Sequence, residues 1–232
     1  MSQPRYWAVV PAAGLGRRFG GPLPKQYLPL DGATVLEHTV ARLRQTQLFQ
    51  AIAVVTHPED ELWPPVRSRL GGAVISAPGG AERSDSVLNG LNALTDAVQH
   101  DWILVHDAAR PCVRADDVHH LVNTLREDEV GGLLGAPVRD TMKRVDDGGA
   151  VVETVARENL WAAFTPQMFR YGRLREALDH CQRNAIAITD EAQAMEAAGF
   201  RPRLVLGQTD NIKITRSEDL DLARQYLRAQ AK

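Results

Sequence analysis

The chain has 232 residues, of which 44% are hydrophobic and 24% charged, and its formal net charge is −2. This length suits one large α/β domain with a buried core, whereas the near-neutral charge gives no support for sequence-independent binding of nucleic acid, which usually needs a basic excess. No apolar run reaches the roughly 18 residues of a membrane span, and Cys112 and Cys181 form no CxxC pair, so we predict a cytoplasmic protein without membrane or nucleic-acid partners.

Short apolar runs alternate with amphipathic segments over the first 138 residues. The apolar runs predict buried strands at residues 7–10, 51–56, 73–76, 102–106 and 131–138. Helical spacing of apolar residues predicts helices at 34–48, 59–70, 84–98 and 116–126. Thr34 and Glu37 form a candidate capping box. This alternation predicts a parallel sheet with helices on both faces, in which ligands bind at the carboxyl ends of the strands.

The alternation stops after residue 138. Residues 139–155 have no helical pattern, and Asp147-Gly148-Gly149 predicts a turn between two β-prone pieces. Within one domain spanning residues 1–232 we therefore expect a protruding β-hairpin arm at 139–157. Because a lone hairpin has little core of its own, we predict that the arm mediates a homodimer. Beyond the arm, helices are predicted at 172–183, 190–198 and 217–229, the last capped by Ser217, with a strand at 203–206.

A turn of small residues, Pro11-Ala12-Ala13-Gly14-Leu15-Gly16, directly follows the first predicted strand. Small side chains let backbone N–H groups approach an anion closely. Arg17-Arg18 and then Lys25 supply positive charge just beyond the turn. The pattern lacks the Lys-Ser/Thr of a Walker A loop, and Phe19 stands where the dinucleotide fingerprint has its third glycine. We interpret the segment as a phosphate site; the alternative is a solvated loop with ordinary surface cations.

Eight stretches of the chain resemble the nucleotidyltransferase family, and most closely its polyol-phosphate cytidylyltransferases. In chain order they are PAAGLGRRF, PKQYLPL, GGAERSDSVLNGL, VHDAARPCV, APVRDTMKR, TPQMF, TDEAQAME and DNIKIT. The resemblance implies a Rossmann-like three-layer α/β/α fold with a mostly parallel mixed sheet. It also implies that CTP and 2-C-methyl-D-erythritol 4-phosphate react to give CDP-methylerythritol and pyrophosphate, with Mg²⁺ or another divalent cation as cofactor. Alternatives are ribitol 5-phosphate as the acceptor, a sugar 1-phosphate as the acceptor, and a non-catalytic nucleotide sensor.

The resemblance also implies roles for individual residues. The catalytic cations would be Arg18, Lys25 and Lys213. CTP would be bound by Pro11, Ala12, Ala13, Gly14, Gly16, Gly79, Gly80, Ala81 and Ser86. The acceptor would be bound by Asp107, Arg110, Thr141, Arg157 and Thr165, with Thr141 and Arg157 supplied by the second subunit and Asp107 also a candidate metal ligand. Family members often have an acidic residue where this chain has Ala81, so a backbone contact is expected there.

The implied reaction explains why the segment is cationic. A phosphate monoester has a second pKa near ~6, so the acceptor is already an anion at neutral pH and needs no general base. Two unit charges of the same sign repel by about 1 kcal/mol at 4 Å in water, and more in a pocket. Fixed cations and a metal ion are therefore expected to carry the catalysis. The structural alternatives are a surface Lys213, a Gly79-Gly80 turn capped by Ser84, and an Asp107 that caps a helix and pairs with Arg110.

Overall fold

The computed structural model describes residues 3–14 and 23–231 of the chain. Its strands are β1 (Tyr6–Pro11), β2 (Pro29–Leu30), β3 (Ala33–Thr34), β4 (Phe49–Thr56), β5 (Val74–Pro78), β6 (Trp102–Val105), β7 (Gly131–Pro137), β8 (Met142–Val145), β9 (Val151–Val155), β10 (Trp161–Arg170) and β11 (Arg203–Leu206). Its α-helices are α1 (Val35–Gln45), α2 (Trp63–Leu70), α3 (Arg83–Ala93), α4 (Ala115–Leu125), α5 (Tyr171–Arg183), α6 (Glu191–Ala197) and α7 (Ser217–Gln230).

Seven of these strands form one sheet in the order β11-β7-β10-β6-β1-β4-β5. The pairs of β1 with β4 and β6, of β4 with β5, and of β7 with β11 are parallel. Strand β10 runs antiparallel to both of its neighbours, β6 and β7. The predicted mostly parallel mixed sheet is therefore confirmed, and the carboxyl ends of β1, β4, β5 and β6 lie at one edge of it.

Helices cover both faces of the sheet, as predicted. Ala8 and Val10 of β1 pack with α1 and α2. Leu104 of β6, which pairs with Ala8 and so points to the same face, packs with α4. Val9 points to the opposite face and packs with α3, α5 and α6. The alternating residues of buried strands thus supply two apolar layers, which gives the three-layer α/β/α arrangement.

Helix α1 begins with the predicted capping box. The Glu37 N–H donates to Thr34 Oγ1 at 3.2 Å, and the Thr34 N–H donates to Glu37 Oε2 at 2.8 Å. The predicted cap of α7 is wrong, because Ser217 is the first helical residue. Asp219 takes the capping role instead, since its Oδ2 accepts hydrogen bonds from the backbone N–H groups of Thr215 and Arg216 at 2.8 Å each.

Strand β10 lies in the middle of the sheet and was not predicted. Its sequence combines exposed alanines at its start with fully buried Met168 and Phe169 near its end. It also contains Pro166, which argues against a central strand because proline cannot donate a ladder hydrogen bond. No single periodicity therefore runs through its ten residues.

The hairpin arm consists of β8 and β9, which pair antiparallel. Asp146 closes its turn, since its Oδ1 accepts hydrogen bonds from the Gly148 and Ala150 N–H groups. Most apolar side chains of the arm are exposed, with Val151 at 60% and Val152 at 63%. The hairpin itself is as predicted, and its role as a dimer interface stays a prediction.

Candidate active site

Two of the predicted loops touch at the carboxyl edge of the sheet. The Ala12 N–H donates to the Val55 carbonyl and the Gly79 N–H to the Thr56 carbonyl, each at 2.7 Å. A Cβ atom added to Gly79 would lie 2.3 Å from the Cβ of Ala13. Only glycine fits there, so the backbones after β1 and β5 form one continuous surface. Gly16 and Arg18, which were predicted to belong to this surface, lie outside the described residues.

The side chain of Gln26 is hydrogen-bonded to the turn after β1. The sequence analysis assigned this residue no role. Its Nε2 donates to the Ala12 carbonyl at 2.7 Å and to the Gly14 carbonyl at 3.1 Å, and the side chain is buried. In a trans peptide the C=O and the next N–H point in opposite directions. The Ala13 N–H is therefore directed away from Gln26. The available signal was a glutamine between Lys25 and Tyr27 in a short segment rich in apolar residues.

Ser86 fixes the loop that enters α3. Its Oγ accepts a hydrogen bond from the Gly80 N–H at 3.1 Å and donates one to the Glu82 carbonyl at 3.1 Å. The N-cap of α3 is Glu82 and not Ser84, so the capping role considered for Ser84 is wrong. Ala81 is exposed at the apex of this loop. The loop is thus held by the side chain of Ser86, while its own backbone at residues 79–81 borders the edge of the sheet.

Asp107 follows β6 and is surrounded by cations. Its Oδ2 lies 3.0 Å from Lys213 Nζ and 3.3 Å from Arg110 Nε, and its Oδ1 lies 3.3 Å from Arg83 Nη2. Burial alone would raise the pKa of Asp107, but Arg83, Lys213 and Arg110 lower it well below its usual value. The carboxylate is therefore ionised at neutral pH and holds three positive side chains at one point.

Thr165 of β10 is also part of this cluster. The Asp107 N–H donates to Thr165 Oγ1 at 3.0 Å, and Thr165 Oγ1 lies 2.9 Å from His106 Nδ1. His106 Nε2 lies 3.1 Å from the Arg110 carbonyl and must donate to it. In the neutral imidazole, the Nδ1 atom is then the acceptor of the Thr165 hydroxyl proton. Burial lowers the pKa of His106 to about 4, in agreement with this assignment.

The segment containing Lys213 runs beside the loop after β6. Asn211 Nδ2 donates to the Thr165 carbonyl at 2.8 Å, and Arg110 Nη1 donates to the Asn211 carbonyl at 2.7 Å. Lys25 Nζ donates to the Ile214 carbonyl at 3.0 Å. The structure thus brings Lys25, Lys213, Arg110, Asp107 and Thr165 together from four separate stretches of chain.

Thr141 and Arg157 lie elsewhere. Both are exposed at the base of the arm, and Arg157 Nη1 donates to the Arg139 carbonyl. Over residues 3–14 and 23–231, no hydrogen bond or ion pair joins either side chain to the cluster around Asp107. Within one chain, therefore, the predicted acceptor site is in two separate parts.

The described residues contain no group of three His, Cys, Asp or Glu side chains arranged to hold a metal ion. Asp107 offers one carboxylate. Mg²⁺ in phosphate-transferring sites is commonly held by one or two carboxylates together with the phosphates of the substrate. The residues present thus fit a magnesium ion that is bound mainly by the nucleotide.

Among the helices of residues 3–14 and 23–231, none has the length and apolar character of a membrane span.

Comparisons with known proteins agree on one family. The family model IspD, 2-C-methyl-D-erythritol 4-phosphate cytidylyltransferase, matches residues 6–229. Relatives carrying that name include one from Hahella chejuensis, 49% identical over 98% of this chain and 95% of its own length, and one from Pseudomonas entomophila, 48% identical over 96% and 95%.

Solved structures give the same result. The cytidylyltransferase of that name from Francisella tularensis superposes with a TM-score of 0.83 at 35% identity, covering 96% of this chain and 99% of its own. The one from Thermus thermophilus superposes with a TM-score of 0.80 at 32% identity, covering 97% and 99%.

Proposed function

Since this chain belongs to the 2-C-methyl-D-erythritol 4-phosphate cytidylyltransferase family, we propose that the cluster around Asp107 is the place where it performs that family's reaction. The chain transfers a cytidylyl group from CTP to 2-C-methyl-D-erythritol 4-phosphate in the non-mevalonate isoprenoid precursor pathway. Ribitol 5-phosphate is not favoured as the acceptor, because the matching family model and the named relatives carry the name of methylerythritol phosphate.

CTP binds along the edge formed by the loops after β1 and β5. The backbone of residues 12–14 faces the triphosphate, and Gly79, Gly80 and Ala81 face the base. Cytosine presents an amino donor and a carbonyl acceptor, which backbone groups of an exposed loop can pair with. The contact of Gly79 with Ala13, which leaves no room for a side chain, supports one binding surface made of both loops.

Lys213, Lys25 and Arg18 neutralise charge on the phosphates. The acceptor phosphate attacks the α-phosphate of CTP, and pyrophosphate leaves from the opposite side. Lys213 stabilises the charge that develops on the α-phosphoryl oxygens, and Lys25 and Arg18 stabilise the leaving group. No proton is removed from the nucleophile. His106 does not act as a base, since it is buried, neutral and engaged by Thr165 and Arg110.

If a magnesium ion accompanies CTP, Asp107 would be the carboxylate available to hold it, together with the phosphates of the nucleotide. When bound, such an ion neutralises phosphate charge and orients the reacting groups.

The same edge of the sheet receives the acceptor. Arg110 and Thr165 of one subunit and Thr141 and Arg157 of the partner subunit complete its site. Exposure of Val151 and Val152 on an arm without a core of its own supports a homodimer in which the arm is covered. A cytoplasmic location stays a prediction from the cysteine usage.

The single observation that carries the proposed site is the convergence of Lys213 and Arg110 on Asp107 next to Lys25. Its test is release of pyrophosphate from CTP with methylerythritol phosphate, ribitol 5-phosphate or a sugar 1-phosphate as the acceptor. Of these three acceptors, we expect only methylerythritol phosphate to give release of pyrophosphate from CTP. Release without discrimination among acceptors would contradict the assigned substrate, and binding of CTP without any release would favour a nucleotide sensor.

A further inference from the structure

Arg83 lies between two carboxylates that come from different elements. Its Nη2 is 3.3 Å from Asp107 Oδ1 and 3.2 Å from Glu191 Oε2, and its Nη1 is 2.5 Å from Glu191 Oε1. Glu191, the first residue of α6, is 1% exposed. One guanidinium therefore joins the start of α3, the start of α6 and the loop after β6. Neither Arg83 nor Glu191 has a role in the reaction as described above.

Strand β10 fixes the backbone at or next to both of these residues. Thr165 accepts the backbone N–H of Asp107 at 3.0 Å. Two residues further on, buried Gln167 accepts the Ala192 N–H at 2.8 Å and donates to Asp190 Oδ2 at 2.9 Å. Asp190 in turn caps α6 by accepting the Gln193 N–H. The space available to the Arg83 guanidinium is therefore set in part by two residues of one strand, Thr165 and Gln167.

The charges explain what Glu191 does for Asp107. Arg83 and Lys213 both contact the Asp107 carboxylate, and its contact with Lys213 Nζ, at 3.0 Å, is the shorter of the two. Glu191 makes a two-pronged contact with Arg83, which is the strong geometry for a guanidinium and a carboxylate. If Glu191 lost its charge, Asp107 would be the one carboxylate left to Arg83 among these contacts. Arg83 would then compete with Lys213 for the Asp107 carboxylate.

We propose that Glu191 is a positioning residue, which holds Arg83 so that Asp107 keeps Lys213 at the place where the α-phosphate of CTP binds. Glu191 does this without touching either substrate, because it is buried behind Arg83. The inference depends on the proposed role of Lys213 and adds to it the reason why Lys213 is held in place.

The test compares Glu191→Gln with the matched control Glu196→Gln, the same change on an exposed position of the same helix. For Glu191→Gln we expect kcat to fall about tenfold while KM for CTP changes little, the usual size of effect for a residue that orients a reacting group. Glu196→Gln should match the wild type. If the role of Glu191 is purely structural, Glu191→Gln will have a lower melting temperature but an unchanged kcat at temperatures well below that melting temperature. That result would overturn the proposal.

A second variant keeps the test decisive if Glu191→Gln folds poorly. In the pair Glu191→Gln with Arg83→Gln both charges are removed, so no unpaired buried charge remains. Because Glu191 acts through Arg83, the pair should lose no more turnover than Arg83→Gln alone; an additional loss would overturn the proposal. Lys213→Ala is measured in parallel. If it retains normal turnover, the proposed function itself fails at that residue, whereas a slow Lys213→Ala beside a normal Glu191→Gln rejects this inference alone.

Discussion

The cluster around Asp107 and the hairpin arm carry the two halves of the predicted acceptor site under opposite physical conditions. In the cluster, Asp107 and Thr165 are buried and several of their partners come from distant parts of the same chain. On the arm, Arg157 and the neighbouring valines are exposed and their contacts are local. A buried group is held by the fold itself, so the cluster is organised before any substrate arrives. We expect the arm to be held comparably when a partner surface covers it.

The largest effect on kcat is expected when a cation is removed from the cluster around Asp107. Lys213→Ala should lower kcat by roughly a hundredfold or more, by analogy with loss of one preorganised donor to a developing negative charge. Steady-state release of pyrophosphate measures it. Lys143→Ala on the arm removes the same charge from an exposed side chain that contacts Thr154, and its kcat should stay near that of the wild type. Equal kcat values for the two variants would remove Lys213 from the chemistry.

A smaller effect, and a different kind of effect, is expected on the arm. Arg157→Ala should raise KM for methylerythritol phosphate about tenfold and leave KM for CTP unchanged, because one charge-assisted contact to phosphate is lost. The control is Arg144→Ala, an exposed arginine that pairs with Glu153 on the same hairpin. If KM rises equally for both substrates of Arg157→Ala, the arm does not bind the acceptor.

The smallest effect should come from the support beneath the CTP turn. Gln26→Glu keeps the shape of the side chain but removes both donors to the Ala12 and Gly14 carbonyls. We expect KM for CTP to rise about fivefold and the free energy of unfolding to fall by about 1–3 kcal/mol, since two buried acceptors lose their partner. Denaturant titration and initial rates measure the two quantities. Gln50→Glu, an exposed position on β4, is the control, and an unchanged Gln26→Glu would show that the turn keeps its form without this support.

Local patterns predicted the parts of the molecule that depend on neighbouring residues. The capping box of Thr34 and Glu37 and the hairpin turn at Asp147 are each formed by residues close together in the chain. Short apolar runs likewise mark strands that are covered on both faces. The turn after β1 was found for the same reason, because small residues beside cations in sequence are a local signal.

Other features depend on contacts between distant parts of the chain. Arg83 and Glu191 are 108 residues apart, and their contact depends on the placement of the start of α6, which Gln167 helps to fix. Strand β10 was missed because Pro166 and the change from exposed to buried residues hide its period. The cap of α7 was assigned to Ser217 because serine is a common cap, whereas the Asp219 carboxylate two residues later reaches back to the N–H groups of Thr215 and Arg216.

The central claim is that each working site combines the cluster of one subunit with the arm of another. Its most direct test is to unfold, mix and refold Lys213→Ala and Arg157→Ala subunits in equal amounts and to measure pyrophosphate release at low methylerythritol phosphate. In a two-fold dimer half of the mixed population pairs one subunit of each kind and contains one intact site, so activity should recover to about a quarter of the wild-type value. Activity equal to the mean of the two parent variants would contradict the claim.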